Sequence, residues 1–337
     1  MQQPGNGLVG VAPEMKVGNV NDGSALHARR IVLLLGRKSR SGGDGEAEIR
    51  ALFEKEGIEI LNSADDTQAH TDASGLIRRL AKDADAVVVG GGDGSVNQIL
   101  PGLVDTGLPF CLIPLGTANN LARTMEIPAG ISATLETLKE GHPCPIDLGV
   151  ANDHLFVNVA GIGLSARINA STPSHWKKRF GPLAFVISAF KLAKSMVPFR
   201  VTIECDGKLI QSRSLQISII NGRYFGNGLS ISDDHSLHDN ELAAFSIRAR
   251  RWWEAIFLIP AFLTGAVKNS EKVLVLRGRT MKITTKRPMK VDLDGDIQTV
   301  TPLTVTVRPG AARILCPANS AGATQAALHV AEIPATA

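Results

Sequence analysis

Residues 89–97 read VGGGDGSVN, so four glycines crowd around one carboxylate, that of Asp93. Glycine loses more backbone freedom on folding than other residues, so this cluster predicts a group that comes close to the main chain. An apolar strand-like run precedes the glycines and a helical pattern follows them. Such a turn aims backbone N–H groups and a helix N-terminus at one point, which suits phosphate. Asp93 would then handle a proton or hold Mg²⁺.

A second turn of this kind lies in PLGTANNLAR at residues 114–123. Here an apolar run again leads through Gly116 and Thr117 into a helical pattern. We expect the two turns to face each other, because the carboxyl ends of neighbouring parallel strands meet at one edge of a sheet. No Walker A pattern GxxxxGK[ST] is present in the sequence. The GxGxxG pattern also fails, because its last position is Ser95 or Asn97.

The elements that position these turns alternate along the first half of the chain. Continuous Val/Ile/Leu runs separated by helical patterns predict a parallel sheet with helices on both faces. After about Ile146 the pattern changes to short strands joined by turn residues, typical of a mostly antiparallel β domain. The fold class is therefore α/β, with boundaries at 29–146 for the α/β domain and 147–310 for the β-rich domain with an inserted helix at 181–197. A final strand at 311–318 could return to the first domain, and the tails at 1–28 and 319–337 are expected to be disordered.

Composition excludes several classes of protein. The 337 residues fit two domains, and a formal net charge of +4 is too small to indicate nucleic-acid binding. The four cysteines match no zinc pattern. No apolar run approaches the ~20 residues of a spanning helix, so we expect a cytoplasmic protein. Residues 154–203 nevertheless contain seven Lys or Arg and no Asp or Glu. Together with RARRWW at 248–253, this stretch favours contact with an anionic membrane surface.

Three motifs in order carry a resemblance to a known family. GGGDGSVNQ, PLGTANNLAR and the late VDLDGDIQTV at 291–300 resemble the diacylglycerol kinase catalytic-domain family, over roughly residues 30–318. The resemblance implies a first domain similar to those of NAD kinases and phosphofructokinases. It implies an ATP-dependent kinase that uses Mg²⁺ and phosphorylates the hydroxyl of diacylglycerol, a sphingoid base, ceramide or a related lipid. The protein would work peripherally at an anionic membrane, and a homodimer is compatible with this interpretation.

The resemblance also implies site residues. Asp296 aligns with the family's catalytic carboxylate, and Asp93 is the competing candidate for the base. A Mg²⁺ site is implied at Asp239 with the backbone carbonyls of Ser236 and Glu241, the alternative being an acidic turn without metal. The ATP-binding residues implied by the matched motifs are Ser39, Ser41, Gly42, Thr67, Gly91, Gly92, Asp93, Gly94, Ser95, Val96, Asn97 and Thr117.

Three positions depart from the family pattern. Gly36 replaces an Asn, Gln98 replaces a Glu, and Asn120 replaces an Asp. Two acidic groups near the phosphates are thereby lost. These departures keep a second hypothesis open, that of a catalytically weak or inactive regulatory protein of the same fold that binds nucleotide or lipid.

Overall fold

The computed structural model describes residues 26–36, 44–63, 66, 71–163, 197–225, 229–230, 235–248, 251, 254, 270, 272–317 and 320. The inserted helix predicted at 181–197 and nearly all of both predicted tails lie outside the described residues. Most of the RARRWW cluster also lies outside them.

The first domain is built on four parallel strands. They are β1 (Arg30–Leu35), β2 (Glu59–Ile60), β3 (Ala86–Gly91) and β4 (Phe110–Pro114), in the order β4-β3-β1-β2. Every residue of β3 is buried, and Val89 lies opposite Leu34 on one side and Leu112 on the other. A central strand buried on both faces must be apolar throughout, which explains the continuous apolar runs in the sequence.

Five described helices flank this sheet: α1 (Asp44–Lys55), α2 (Ala73–Leu80), α3 (Asp93–Thr106), α4 (Asn120–Thr124) and α5 (Ile131–Glu140). One apolar core contains Val87 and Leu100, and the core on the opposite face contains Val88 and Phe53. Alternate residues of β3 thus enter different cores, as the two-residue period of a strand requires. No helix in the described part of the chain is long and apolar enough to cross a membrane.

The second domain consists of strands that pair mostly in antiparallel fashion. They are β5 (His142–Ala151), β6 (His154–Phe156), β7 (Val159–Gly163), β8 (Phe199–Cys205), β9 (Lys208–Ile220), β10 (Tyr224–Phe225), β11 (Leu229–Ser230), β12 (Leu242–Arg248), β13 (Val273–Gly278), β14 (Thr280–Thr285), β15 (Lys290–Leu293), β16 (Asp296–Val300) and β17 (Leu303–Cys316). The predicted fold class, a parallel α/β domain followed by a mostly antiparallel β domain, is confirmed.

The last strand, β17, joins the two domains. It pairs antiparallel with β14 and β5, and Ile314 lies beside Phe110 of the first domain in parallel register. The sequence predicts a separate final strand at 311–318, but β17 already begins at Leu303. Pro309 and Gly310 lie within it, where the register with β5 shifts between Arg308 and Ala312. Because of this irregularity, turn-like residues lie inside a continuous strand.

One close helix contact gives a test of the fold. A Cβ on Gly102 of α3 would lie 2.8 Å from the carbonyl oxygen of Ser74 in α2. Gly102→Ala should therefore destabilise the protein by about 1–3 kcal/mol through overpacking, measured by urea unfolding. Gly45→Ala is the matched control, because a Cβ there meets nothing within 4 Å. It should leave stability unchanged or raise it by about 0.5–1 kcal/mol. Equal effects of the two substitutions would contradict the packing of α3 against α2.

Candidate active site

The two glycine turns face each other, as the sequence predicts. A Cβ on Gly116 would lie 2.5 Å from the Cα of Gly92, and a Cβ on Gly92 would lie 3.1 Å from the Cα of Gly116. The side chain of Asn119, which has φ +48°, accepts from Gly116 N–H (2.9 Å) and donates to Gly116 C=O (3.0 Å). Gly116 therefore needs to be glycine because of the backbone of the other turn, and a side chain at Gly92 would be tightly packed against it. At these two positions the backbone of the facing turn, and not only an approaching ligand, explains the glycine.

Gly94 has different surroundings. The nearest atom to a Cβ at this position is Asp296 Oδ2, at 3.8 Å. A Cβ on Gly91, by contrast, would lie 2.3 Å from Ser95 Oγ. Gly94 is the second residue of α3, and neither its N–H nor that of Asp93 donates to any described residue. The start of α3 thus presents open backbone donors, which suit an anion.

The Asp93 carboxylate is fully engaged in hydrogen bonds. Oδ1 accepts from Leu121 N–H and from Asn158 Nδ2, both at 3.1 Å. Oδ2 accepts from the backbone N–H (3.1 Å) and the side-chain Nδ2 (3.3 Å) of Asn120. Four donors from the PLGTANNLAR segment and the second domain converge on this one carboxylate. Asp93 therefore holds the two turns and the second domain in register.

Asn120 shows why an amide can stand where the resemblance implies Asp. Its Nδ2 donates to Asp93 Oδ2, which a carboxylate could not do. A second carboxylate there would also add like-charge repulsion next to Asp93. The carboxamide oxygens of Asn120 and Asn158 are buried and accept no hydrogen bond from the described residues.

Asp294 lies in a two-residue hairpin between β15 and β16. Asp294 has φ +49° and Gly295 has φ +108°, and Leu293 pairs with Asp296 across the turn. Positive φ at both central residues is typical of a type I′ turn, for which Asp-Gly is a preferred sequence. The late DGD motif therefore forms a tight hairpin that presents Asp294 and Asp296 to the first domain.

The Asp294 carboxylate accepts three successive backbone N–H groups, from Val157 (2.7 Å), Asn158 (2.9 Å) and Val159 (3.0 Å). Asn97 Nδ2 adds a fourth donor at 3.2 Å. Burial raises the pKa of Asp294 to about 6, although the three backbone hydrogen bonds act in the opposite direction, and the charge of Asp93 raises the pKa further. Sequence reasoning assigned no role to Asp294, although the Asp-Gly pair was a signal for this hairpin.

Asn97, implied to bind ATP, has its side chain directed at the second domain. Nδ2 donates to Leu155 C=O (3.0 Å) as well as to Asp294, and Oδ1 accepts from Gln298 Nε2 (2.7 Å). Val96 lies in the apolar core at 1% exposure. The side chains of these two implied ATP residues thus connect the domains or fill the core. Thr117 is exposed, and Ser39, Ser41, Gly42 and Thr67 lie outside the described residues.

Asp296 differs from the other two carboxylates. It is the first residue of β16, it is exposed, and its carboxylate accepts no hydrogen bond from the described residues. Its Oδ2 lies next to Gly94, as the 3.8 Å distance shows. The hairpin therefore places one unengaged carboxylate from the second domain beside the glycine turn of the first.

The implied metal residues form a compact turn. Asp239 Oδ2 contacts His235 Nδ1 at 2.6 Å and accepts from Ser236 N–H at 3.1 Å, and Oδ1 accepts from Glu241 N–H at 3.1 Å. No group of three His, Cys, Asp or Glu side chains suited to a metal occurs among the described residues. In this arrangement a metal ion at Asp239 would have to displace the groups that hydrogen-bond to its carboxylate. The residues around Asp239 therefore do not fit Mg²⁺ in this conformation. The metal assignment stays a prediction.

The two hairpin carboxylates give a matched pair of variants. Asp294→Asn should lower the free energy of unfolding at neutral pH by at least about 2 kcal/mol, because the new NH₂ group would face buried N–H donors. Asp296→Asn, two residues away and exposed, should change it by less than about 0.5 kcal/mol. Urea unfolding of both variants measures the difference. An Asp294→Asn protein as stable as the wild type would show that this carboxylate does not hold the domains together.

Comparisons with known proteins agree with this geometry. Residues 30–151 match the diacylglycerol kinase catalytic domain, and residues 158–316 match the YegS C-terminal NAD kinase beta sandwich-like domain. A diacylglycerol kinase of Bacillus subtilis is 28% identical over 254 residues, which are 74% of this chain and 83% of that protein. A diacylglycerol kinase of Staphylococcus aureus is 26% identical over 221 residues, which are 65% of this chain and 70% of that protein.

A solved structure supports the fold. A diacylglycerol kinase from Bacillus anthracis superposes with a TM-score of 0.67 at 22% identity, covering 86% of this chain and 98% of that one. The two family models follow each other along the chain in the order of its two structural domains. Residues 30–151 therefore carry a diacylglycerol kinase catalytic domain, residues 158–316 carry a YegS C-terminal domain, and the curated relatives of the chain are named diacylglycerol kinase.

Proposed function

We propose that this protein is an ATP-dependent lipid kinase that transfers the γ-phosphoryl group of ATP to a lipid hydroxyl. The observation that carries the proposal is the position of Asp296. An exposed carboxylate without a hydrogen-bond partner among the described residues lies beside Gly94, at the start of a helix with open N–H groups. The match to the diacylglycerol kinase catalytic domain supports the reaction class.

The nucleotide phosphates would lie against the first turn of α3. The N–H groups of Asp93 and Gly94 and the helix N-terminus favour negative charge there, and the exposed Thr117 lies in the facing turn. ATP is expected to enter with Mg²⁺, which neutralises phosphate charge in reactions of this class. The buried carboxamide oxygens of Asn120 and Asn158, which accept no hydrogen bond from the residues that the structure describes, are oxygen ligands of the type that Mg²⁺ prefers.

Asp296 is the better candidate for the base. As the lipid oxygen bonds to the γ-phosphorus and the bond to the β-phosphate oxygen breaks, the hydroxyl proton passes to the carboxylate and ADP leaves. Asp296 accepts no hydrogen bond from the described part of the chain, so its lone pairs can take this proton, whereas Asp93 already accepts four hydrogen bonds. The geometry thus favours one of the two candidates left open by the motifs, with Asp93 as an organiser of the turns.

The acceptor is proposed to be a lipid, with diacylglycerol first because the relatives in Bacillus subtilis and Staphylococcus aureus carry that name. A sphingoid base, ceramide or a related lipid are the other candidates. Exposed apolar side chains next to the two key turns suit such an acceptor: Leu115 precedes Gly116 and is 43% exposed, and Ile297 follows Asp296 and is 49% exposed. The reaction would take place at a membrane surface.

Gly94→Ala tests the phosphate position. The new Cβ has room in the protein but would occupy space against the open N–H groups. ATP affinity, measured by isothermal titration calorimetry, should fall at least about tenfold, which corresponds to 1.4 kcal/mol. Stability should not fall, because Ala favours a helix more than Gly does. Gly45→Ala, also a helical Gly→Ala change with open space, should keep the wild-type affinity. Unchanged ATP affinity in Gly94→Ala would refute the phosphate assignment.

Three variants test the base. Asp296→Asn should lower kcat by roughly 10²–10⁴-fold while ATP affinity stays close to that of the wild type. Asp296→Glu restores the family's usual side chain and should remain active. Asp93→Asn should lose stability and ATP affinity together, because the new NH₂ group would face N–H donors.

Turnover with a panel of diacylglycerol, sphingosine and ceramide, combined with ATP titrations, measures these effects and identifies the acceptor. Full activity of Asp296→Asn would exclude this residue as the base. A wild-type protein that binds ATP but phosphorylates no lipid of the panel would favour the regulatory alternative.

A further inference from the structure

Four basic residues form a row on the outer face of the second domain. Arg200 of β8 lies directly opposite Arg213 of β9. Val201 lies opposite Thr285, the last residue of β14, and Lys286 and Arg287 follow Thr285 directly in the chain. All four basic residues are exposed. Directly opposite residues of antiparallel strands project from the same face. Arg213, Arg200, Lys286 and Arg287, called the basic row below, therefore concentrate positive charge at one end of the sheet.

The basic row is unfavourable for the fold. Like charges directly opposite each other on neighbouring strands are destabilising. None of the four has an ion-pair partner among the residues that the structure describes. The only carboxylate on β8, Glu204, lies four residues beyond Arg200, about 13 Å along the strand, and is opposite Lys282. The sheet itself therefore does not neutralise this charge, which points to an anionic partner outside the chain.

We propose that the basic row docks the protein onto an anionic phospholipid surface. This inference rests on the proposed function, in which the acceptor lipid resides in a membrane. Val197, three residues before Arg200, is 77% exposed, and an apolar side chain beside cations suits a lipid interface better than a nucleic acid. The net charge of +4 is also small for a nucleic-acid binder. Each basic residue near an anionic leaflet contributes about fivefold in affinity.

Charge reversal separates docking from folding. Arg200→Glu should weaken co-sedimentation with vesicles of equal parts phosphatidylcholine and phosphatidylglycerol by at least about tenfold. The melting temperature should stay the same or rise, because the new carboxylate would lie opposite Arg213 and form a favourable cross-strand pair. Lys82→Glu is the matched control, since it makes the same charge change at an exposed residue of the first domain. It should change vesicle affinity by less than about twofold, because exposed charges are screened beyond ~8–10 Å.

Three outcomes would overturn the docking surface. One is wild-type vesicle affinity in Arg200→Glu. Another is an equal loss in Lys82→Glu, which would show an effect of net charge alone. The third is binding to duplex DNA that exceeds vesicle binding and is lost in Arg200→Glu.

A kinase assay with a water-soluble short-chain diacylglycerol keeps this test distinct from that of the proposed function. Arg200→Glu should retain wild-type turnover of this substrate, because the basic row does not touch the candidate active site. If the wild type phosphorylates no lipid but loses vesicle binding on Arg200→Glu, the docking surface stands and the proposed function falls. If the wild type phosphorylates a lipid but Arg200→Glu leaves vesicle binding unchanged, the proposed function stands and the docking surface falls.

Discussion

The position of the second domain against the glycine turns depends on one half-buried residue, Asp294, whose carboxylate is enclosed by hydrogen-bond donors. Its four N–H donors come from three consecutive residues of the second domain and from Asn97 at the start of α3. Asn158 links this contact to the next, because its backbone N–H donates to Asp294 and its side chain donates to Asp93. Two carboxylates and two amides therefore form one connected network across the domain boundary. Both carboxylates of this network accept four hydrogen bonds each, whereas the buried Oδ1 of Asn158 accepts none from the described residues.

The three carboxylates around the turns consequently have different surroundings. Asp93 and Asp294 are each surrounded by N–H donors, which stabilise their negative charge but occupy the lone pairs that a base would use. Asp296 extends from the same hairpin as Asp294, but its side chain is exposed and unengaged. A β-strand directs successive residues to opposite sides, and a tight turn fixes where the strand begins. Asp294 thereby determines where the carboxylate of Asp296 lies, and under the proposed function this position is important because small displacements of a catalytic group are costly.

Much of this arrangement is predictable from the sequence. The features that are not predictable share one physical reason, because they depend on contacts between residues that are far apart in the chain. The apolar runs, the two strand–glycine–helix turns and their juxtaposition depend on local patterns, and the fold class and the facing turns are confirmed. Asn97 and Gln298 are far apart in the chain, so no local pattern indicates that their side chains meet. For the same reason no local pattern indicates the hydrogen bonds of Asp294, although Asp294-Gly295 predicts a tight turn. Pro309 and Gly310 are typical of a strand boundary, but β17 pairs with β5 on both sides of them and is therefore one continuous strand.

The departures from the family pattern acquire a physical meaning in this network. Asn120 adds a donor to Asp93 where a carboxylate would add repulsion. Gln98 is exposed on α3, and its carbonyl oxygen accepts from Ser74 Oγ in α2, so this position also serves helix packing. Gly36 donates its N–H to the carbonyl oxygen of Gly90 and so extends the pairing of β1 with β3. The hydrogen bonds at Gln98 and Gly36 are made by the main chain, so they do not depend on which side chain stands there. Only the replacement at Asn120 changes a side-chain hydrogen bond at the glycine turn, and there the loss of an acidic group is a change in how the turn is held together.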